Sequence, residues 1–241
     1  MIEKQIDIDK YFKYDLASLK QDLKNTNLCK IIADNETQEN YQLMYACEDE
    51  HLYKLTNIVA HKLTDFYINR YKKFYLQKHI NLTTIDKIFV PAYICAISSF
   101  DNFTDREIAL DANYTNNKIV VLPFLYFKLT DLIERWKTII SLTNDNIECF
   151  DKTSGIIDLL CYLIRNQQNK TQNLELNFTE KGIKVYNGEL LTFESQTQTK
   201  NDIANMMAVL VKLCPKTLTI NYHNNNSHIE TIKRIFSEKV I

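Results

Sequence analysis

The chain has only three glycines and three prolines in 241 residues. Three isolated glycines cannot build GxxxxGK[ST], GxGxxG or GxSxG, so the usual nucleotide-binding loops and the hydrolase nucleophile elbow are excluded. The six cysteines, Cys29, Cys47, Cys95, Cys149, Cys161 and Cys214, nowhere approach CxxC spacing. That removes a zinc knuckle or dithiol redox motif and leaves reduced, buried thiols as the expectation. Neither sign of charge dominates: 29 basic against 30 acidic residues give a formal net charge of -1. No long-range field gathers nucleic acid or anionic lipid, and any such binding has to be local. The most apolar runs, Ile119 to Phe127 and Ile156 to Ile164, fall short of the roughly 20 residues that cross a bilayer, so no transmembrane segment is expected. Met1-Ile2-Glu3-Lys4-Gln5-Ile6-Asp7 lacks the apolar stretch of a signal peptide, and a cytoplasmic location is expected. Asn35-Glu36-Thr37 and Asn177-Phe178-Thr179 match glycosylation acceptors, but a chain rich in Asn produces such triplets by chance.

What is present is a hydrophobic content of 45%, enough for a real core. With Gly and Pro scarce, Asn takes over turn positions because its side chain tolerates left-handed backbone. Leu16, Leu19 and Leu23 recur at helical spacing behind Asp15, a candidate cap, and Asn25-Thr26-Asn27 closes that helix. Leu28 to Ala33 and Tyr41 to Cys47 read as a hairpin, so the first 48 residues form a small α/β element. From Asp49 to about Ile80 the face Leu52, Leu55, Val59, Leu63, Phe66, Arg70, Phe74 predicts the longest helix.

Thr83 or Thr84 is the candidate cap of a further helix carrying Ile85, Ile88, Phe89, Ile94, Ile97 and Phe100, kinked or restarted at Pro91. Helices follow over Thr104 to Tyr114, from Pro123 through Trp136 to Ile140, and over Ile156 to Arg165. Leu174, Leu176 and Phe178 alternate with polar residues, Glu180-Lys181-Gly182 turns, and Ile183 and Val185 resume, which predicts a β-hairpin. The tail reads as helix from Asn201 to Leu213, a stop at Pro215, strand from Leu218 to Tyr222, helix from His228 to Phe236 and a closing strand. The fold class is therefore α+β, a helical centre between an N-terminal α/β element and a small C-terminal sheet packed with helices. A division into residues 1–118 and 119–241 suits that order.

The densest basic and aromatic run is Asn69 to His79. Its cations Arg70, Lys72, Lys73 and Lys78 are the candidate contacts for a polyanion, nucleic acid or an anionic membrane surface. The plainer reading is that they solvate a helix whose aromatic side is core. His51 and His61 sit ten apart on one helix, about 80° apart around it and without a HExxH partner, so no metal is expected. His223 and His228 flank a polar loop in which Ser227 and Glu230 form a capping-box pattern. Cys29 and Cys47 oppose one another in the N-terminal hairpin as small buried thiols. No catalytic residue and no cofactor is assigned. Trp136, spaced helically with Leu125, Leu129, Leu132 and Ile140, is expected in the core with its N–H bound to one partner.

Phe124-Leu125-Tyr126-Phe127-Lys128-Leu129-Thr130-Asp131-Leu132 resembles the phenylalanine, phenylalanine, basic, leucine pattern of the YtxC-like family of sporulation proteins. Leu213-Cys214-Pro215-Lys216 with Leu218 to Tyr222, and Glu230 to Phe236, is similar to that family's C-terminal block. The likeness spans residues 50 to 241, with Lys128 where arginine is expected and Pro123 where a small residue is. It implies a spore-forming bacterium and a part in sporulation, and it brings no catalytic residues. The function expected is a noncatalytic interaction or assembly factor with a protein partner. The alternatives are a polyanion-binding module and an enzyme whose residues converge only on folding, which a deep pocket joining His, Cys, Asp or Glu side chains would reveal.

Overall fold

A computed structural model describes residues 1–146, 153–167, 171–180, 182–222 and 227–241, and the fold is α+β. The chain opens with β1 (Ile2–Asp9), α1 (Lys13–Thr26), β2 (Cys29–Glu36) and β3 (Asn40–Cys47). Next come α2 (Leu52–Phe66), a π-helical turn (Tyr67–Tyr71), α3 (Lys72–His79), α4 (Val90–Ser98) and α5 (Asn102–Leu110). Then follow β4 (Lys118–Val120), α6 (Val121–Lys128), α7 (Thr130–Asp145) and α8 (Thr153–Arg165). The last third holds β5 (Thr171–Thr179), β6 (Gly182–Asn187), β7 (Leu190–Ser195), α9 (Lys200–Leu213), β8 (Pro215–Tyr222) and α10 (Ser227–Ile235). No helix among these residues is long and apolar enough to cross a membrane.

Two compact units emerge, and they do not divide near residue 118. The first joins residues 1–72 to 101–139, and the second joins 73–100 to 140–241. A cut at 118 fails because β4 is an edge strand of the N-terminal sheet: Ile119 pairs in parallel with Ile6 of β1.

In the first unit the strand order is β2-β3-β1-β4, with β1 antiparallel to β3. Ile6 and Ile8 face inward beside Leu43 and Tyr41. Leu16, Leu19 and Leu23 of α1 close over this face, all buried, as their spacing predicts. Asp15 lies in the first turn of α1 rather than at its cap, and Asn27 ends the helix in the left-handed region, φ 57°. Lys4 points into the same face and donates from Nζ to Asn117 Oδ1 at 3.1 Å and to the Thr115 carbonyl. These bonds compensate a burial that pushes its ammonium pKa down.

The predicted long helix is present, but its apolar stripe changes phase. Leu55, Val59, Leu63 and Phe66 are buried as read. Beyond them the π turn spans five residues where an α turn spans four, so the stripe passes to Tyr71, Tyr75 and Leu76 while Arg70 and Phe74 turn outward.

The helix expected from Pro123 to Ile140 is two helices. Leu129, at φ −114° and ψ 42°, separates α6 from α7. Leu125, Leu129, Leu132 and Trp136 are buried, while Ile140 is only half-buried.

In the second unit the sheet order is β7-β6-β5-β8, with β5 antiparallel to β6 and parallel to β8. The predicted hairpin has the expected faces, Leu176 opposite Val185 and Phe178 opposite Ile183; Lys181 of its turn lies outside the described residues. Leu174, Leu176, Ile183, Val185 and Leu218 are fully buried on one face. The opposite face is a polar ladder: Thr217 bonds Asn173 at 2.5 Å, Asn221 bonds both Glu175 and Asn177 at 2.8 Å, and Lys184 pairs with Glu194 at 2.9 Å.

Residues 83 to 89 form turns rather than a helix begun by Thr83 or Thr84; α4 starts afresh with Pro91 in its first turn, where a missing N–H costs nothing. A capping box of Thr199 and Asp202 starts α9, and α9 packs on α4. The closing strand is a single bridge, Leu218 to Val240, held by Leu218 N–H to Lys239 O at 2.6 Å and Ile241 N–H to Leu218 O at 3.1 Å.

Candidate functional site

The basic run does not form one surface. Lys72 is fully buried in the first unit, with Nζ 2.7 Å from Asp105 Oδ2 and 2.9 Å from Asn102 Oδ1. It is withdrawn as a polyanion contact, because a side chain with no solvent exposure cannot meet a phosphate. Its burial follows from the π turn, which rotates Tyr71 and Lys72 inward. Arg70 is exposed in the first unit. Lys73 and Lys78 belong to the second: Lys73 is half-buried with Nζ 3.2 Å from Cys95 Sγ, and Lys78 is exposed. Five residues apart on α3, those two lysines point about 140° from one another.

Around Lys72 lies a charged cluster that spacing alone did not reveal. Asp105, 1% exposed, accepts from Lys72 and from Trp136 Nε1 (3.0 Å) on Oδ2, and from Arg135 Nε (2.9 Å) on Oδ1. Arg135 also binds Asp101. Burial pushes the Lys72 ammonium pKa down, and the Asp105 charge offsets only part of that. Every neighbour here fixes the carboxylate in the core, which is the chemistry of a structural pin. Trp136 is buried with its N–H satisfied, as expected.

The remaining candidates stay local. Glu48, Glu50 and His51 bring three potential ligand atoms within 4.8 Å, but they lie at the surface, with Glu48 paired to Lys30 at 2.9 Å and His51 3.4 Å from Glu50. His61 is exposed, and the His79 ring lies tilted against Tyr75, 4.4 Å between centroids, with Nδ1 2.8 Å from the Tyr75 carbonyl. Cys149, His223 and Asn224 to Asn226 lie outside the described residues. Ser227 begins α10, and Glu230 pairs with Lys233 at 3.1 Å. Cys29 pairs in register with Cys47 across the hairpin, both as free thiols. Burial pushes the Cys29 thiol up to about 11 and raises Cys47 as well, which suppresses nucleophilic thiolate.

Among the exposed aromatic side chains of the first unit, two are adjacent on α6. Val121, Phe124 and Leu125 anchor α6, while Tyr126 and Phe127 project outward, Phe127 with 79% of its surface in solvent. The Tyr126 hydroxyl is 2.9 Å from that of Tyr71, which holds its ring in place beside Phe127.

In the second unit, Asp86 and His228 line a cavity of about 180 Å³ with Lys200 and Thr231. Thr231 Oγ1 donates to the Ser227 carbonyl at 2.8 Å, so its hydroxyl is engaged in the helix. The cavity thus brings an acidic and an imidazole side chain together, the arrangement that would mark a converged enzyme site, but among the described residues no hydrogen bond or ion pair couples Asp86 to His228 and no cysteine lines the cavity.

The fold and these surfaces define an α+β protein with an exposed aromatic step on a short helix. No family model, curated protein or solved structure matches the chain.

Proposed function

We propose that this protein is a noncatalytic interaction or assembly factor of the cytoplasm in a spore-forming bacterium, akin to the YtxC-like sporulation proteins. The observation that carries the reading is the exposed pair Tyr126 and Phe127 on α6. The pair lies in the Phe124 to Leu132 segment on which the family resemblance rests. A helix anchored by Val121, Phe124 and Leu125 presents those rings without needing to reorganise on binding. Aromatic side chains held in this way contribute a large share of the energy of protein interfaces.

The experiment is complementation in a spore-forming host whose own copy is deleted. The parent chain restores spore yield, and Tyr126→Ala/Phe127→Ala does not, although it accumulates normally and keeps the parent's circular dichroism. Full restoration by the double variant rejects the aromatic surface. Normal spore yield in the deletion strain rejects the sporulation role.

A further inference from the structure

We infer that the cavity in the second unit binds a small apolar α-amino acid in its zwitterionic form. Its floor is formed by Ile88, Phe89, Ile203 and Met207, whose exposures are 8%, 4%, 1% and 2%, so the apolar surface is already built into the core. An apolar cavity of about 150 Å³ takes up benzene. The roughly 180 Å³ here accommodates a branched aliphatic or phenyl side chain and little more.

The rim supplies both signs of charge. Lys200, the first residue of α9, and Asp86 line the same cavity as His228, the second residue of α10. The Ile88 N–H binds Asp86 Oδ1 at 3.1 Å and fixes the direction of that carboxylate. Among the described residues, Lys200 forms no ion pair. A ligand that is only apolar would strip water from these groups and return nothing. A simple anion would meet Asp86, and a simple cation would meet Lys200. A zwitterion answers both, with its carboxylate toward Lys200 and His228, its ammonium toward Asp86, and its side chain on the apolar floor.

Isothermal titration of the full chain tests this with four probes: L-leucine, glycine, 3-methylbutanoate and 3-methylbutylamine. Leucine is expected to bind saturably at one site and glycine not at all. Each one-headed analogue is expected to bind at least about tenfold more weakly than leucine. Lys200→Gln and Asp86→Asn, both at exposed positions, are expected to weaken leucine by a similar factor while keeping the parent's thermal melt. No saturable heat with leucine at millimolar concentration overturns the site. Equal binding of 3-methylbutanoate and leucine overturns the zwitterion assignment. Unchanged leucine affinity in both variants places any binding elsewhere and overturns it too. The analogue series uses the unmodified protein and decides the matter even if a variant misfolds.

Discussion

Lys72 Nζ lies 2.7 Å from Asp105 Oδ2, and neither side chain is more than 1% exposed. Asp105 is the hub of this arrangement, because it also holds Trp136 and Arg135. Removing it takes the carboxylate away from a buried ammonium and from an indole N–H together. Asp105→Ala is expected to cost about 3 to 5 kcal/mol in denaturant unfolding, the usual loss when one partner of a buried pair is deleted. Lys72→Met leaves Asp105 with two donors, so it should cost less. A smaller loss for Asp105→Ala than for Lys72→Met would refute the hub assignment.

The same pair sets a pH dependence. The folded pKa of Lys72 lies below its unfolded value, so the folded chain gives up this proton first as pH rises. The penalty for a buried ammonium is fully present below the folded pKa. It is relieved as pH climbs from there toward the ordinary lysine value of about 10.4. Parent stability relative to Lys72→Met is therefore expected to increase with pH through that window, measured as urea midpoints side by side. A relative decrease would reverse the sign and reject the desolvation argument.

The thiols of the N-terminal hairpin should be slow to react. With Cys29 pushed up to about 11 by burial, and Cys47 raised in the same direction, thiolate is scarce at neutral pH. Iodoacetamide labelling of the native chain at pH 7.5, read by peptide mass spectrometry, is expected to leave both sites largely unmodified, with Cys29 accelerating as pH approaches 11. Rapid labelling of Cys29 at neutral pH would contradict it.

What could be read in the sequence was what is local. Leu16, Leu19 and Leu23, or the alternation from Leu174 to Val185, report their faces because the neighbours that decide them are a turn or a strand away. The π turn was invisible, since one extra residue in a helix changes no composition and yet moves Tyr71 and Lys72 inward and Arg70 outward. Strand β1 sits in the middle of its sheet, between β3 and a β4 that follows more than a hundred residues later, and its charged positions Glu3, Lys4, Asp7 and Asp9 hide that place, while in β7 a bulge opposite Val185 and Tyr186 interrupts the alternation. The Asp105 hub and the Asp86, Lys200, His228 rim join residues that only tertiary contact brings together.

Two glycines separate backbone freedom from space. Gly182 has φ 144°, and a Cβ there would stand 1.9 Å from the Ser195 carbonyl oxygen, so the β6 and β7 backbones must part to admit it. Gly188 has φ 61° with nothing within 4 Å of the added atom. Gly188→Ala is expected to cost about 1 to 2 kcal/mol, the left-handed penalty alone. Gly182→Ala should cost more, because a strand contact is lost as well. Thermal melts compare them, and equal losses would mean that the sheet yields freely at Ser195.

Trp136 gives the clearest test of the core. It is fully buried, lies 6.4 Å from the Tyr71 ring, and Tyr71 in turn meets Phe12 at 5.8 Å, so the indole belongs to a run of packed aromatic rings. Truncating a large aromatic in such a core costs about 3 to 5 kcal/mol, which is the loss expected for Trp136→Ala. Trp136→Phe keeps most of the apolar area but deletes the N–H that reaches Asp105 at 3.0 Å. Its cost should be nearer about 1 to 3 kcal/mol, the value of a hydrogen bond to a charged acceptor plus a small void. Because Trp136 is the only tryptophan, tryptophan fluorescence excited selectively over that of the tyrosines reports this site alone. Acrylamide should quench the folded chain poorly and the unfolded chain well. Easy quenching of the folded chain, together with a small loss for Trp136→Ala, would place the indole at the surface and remove Asp105's third donor.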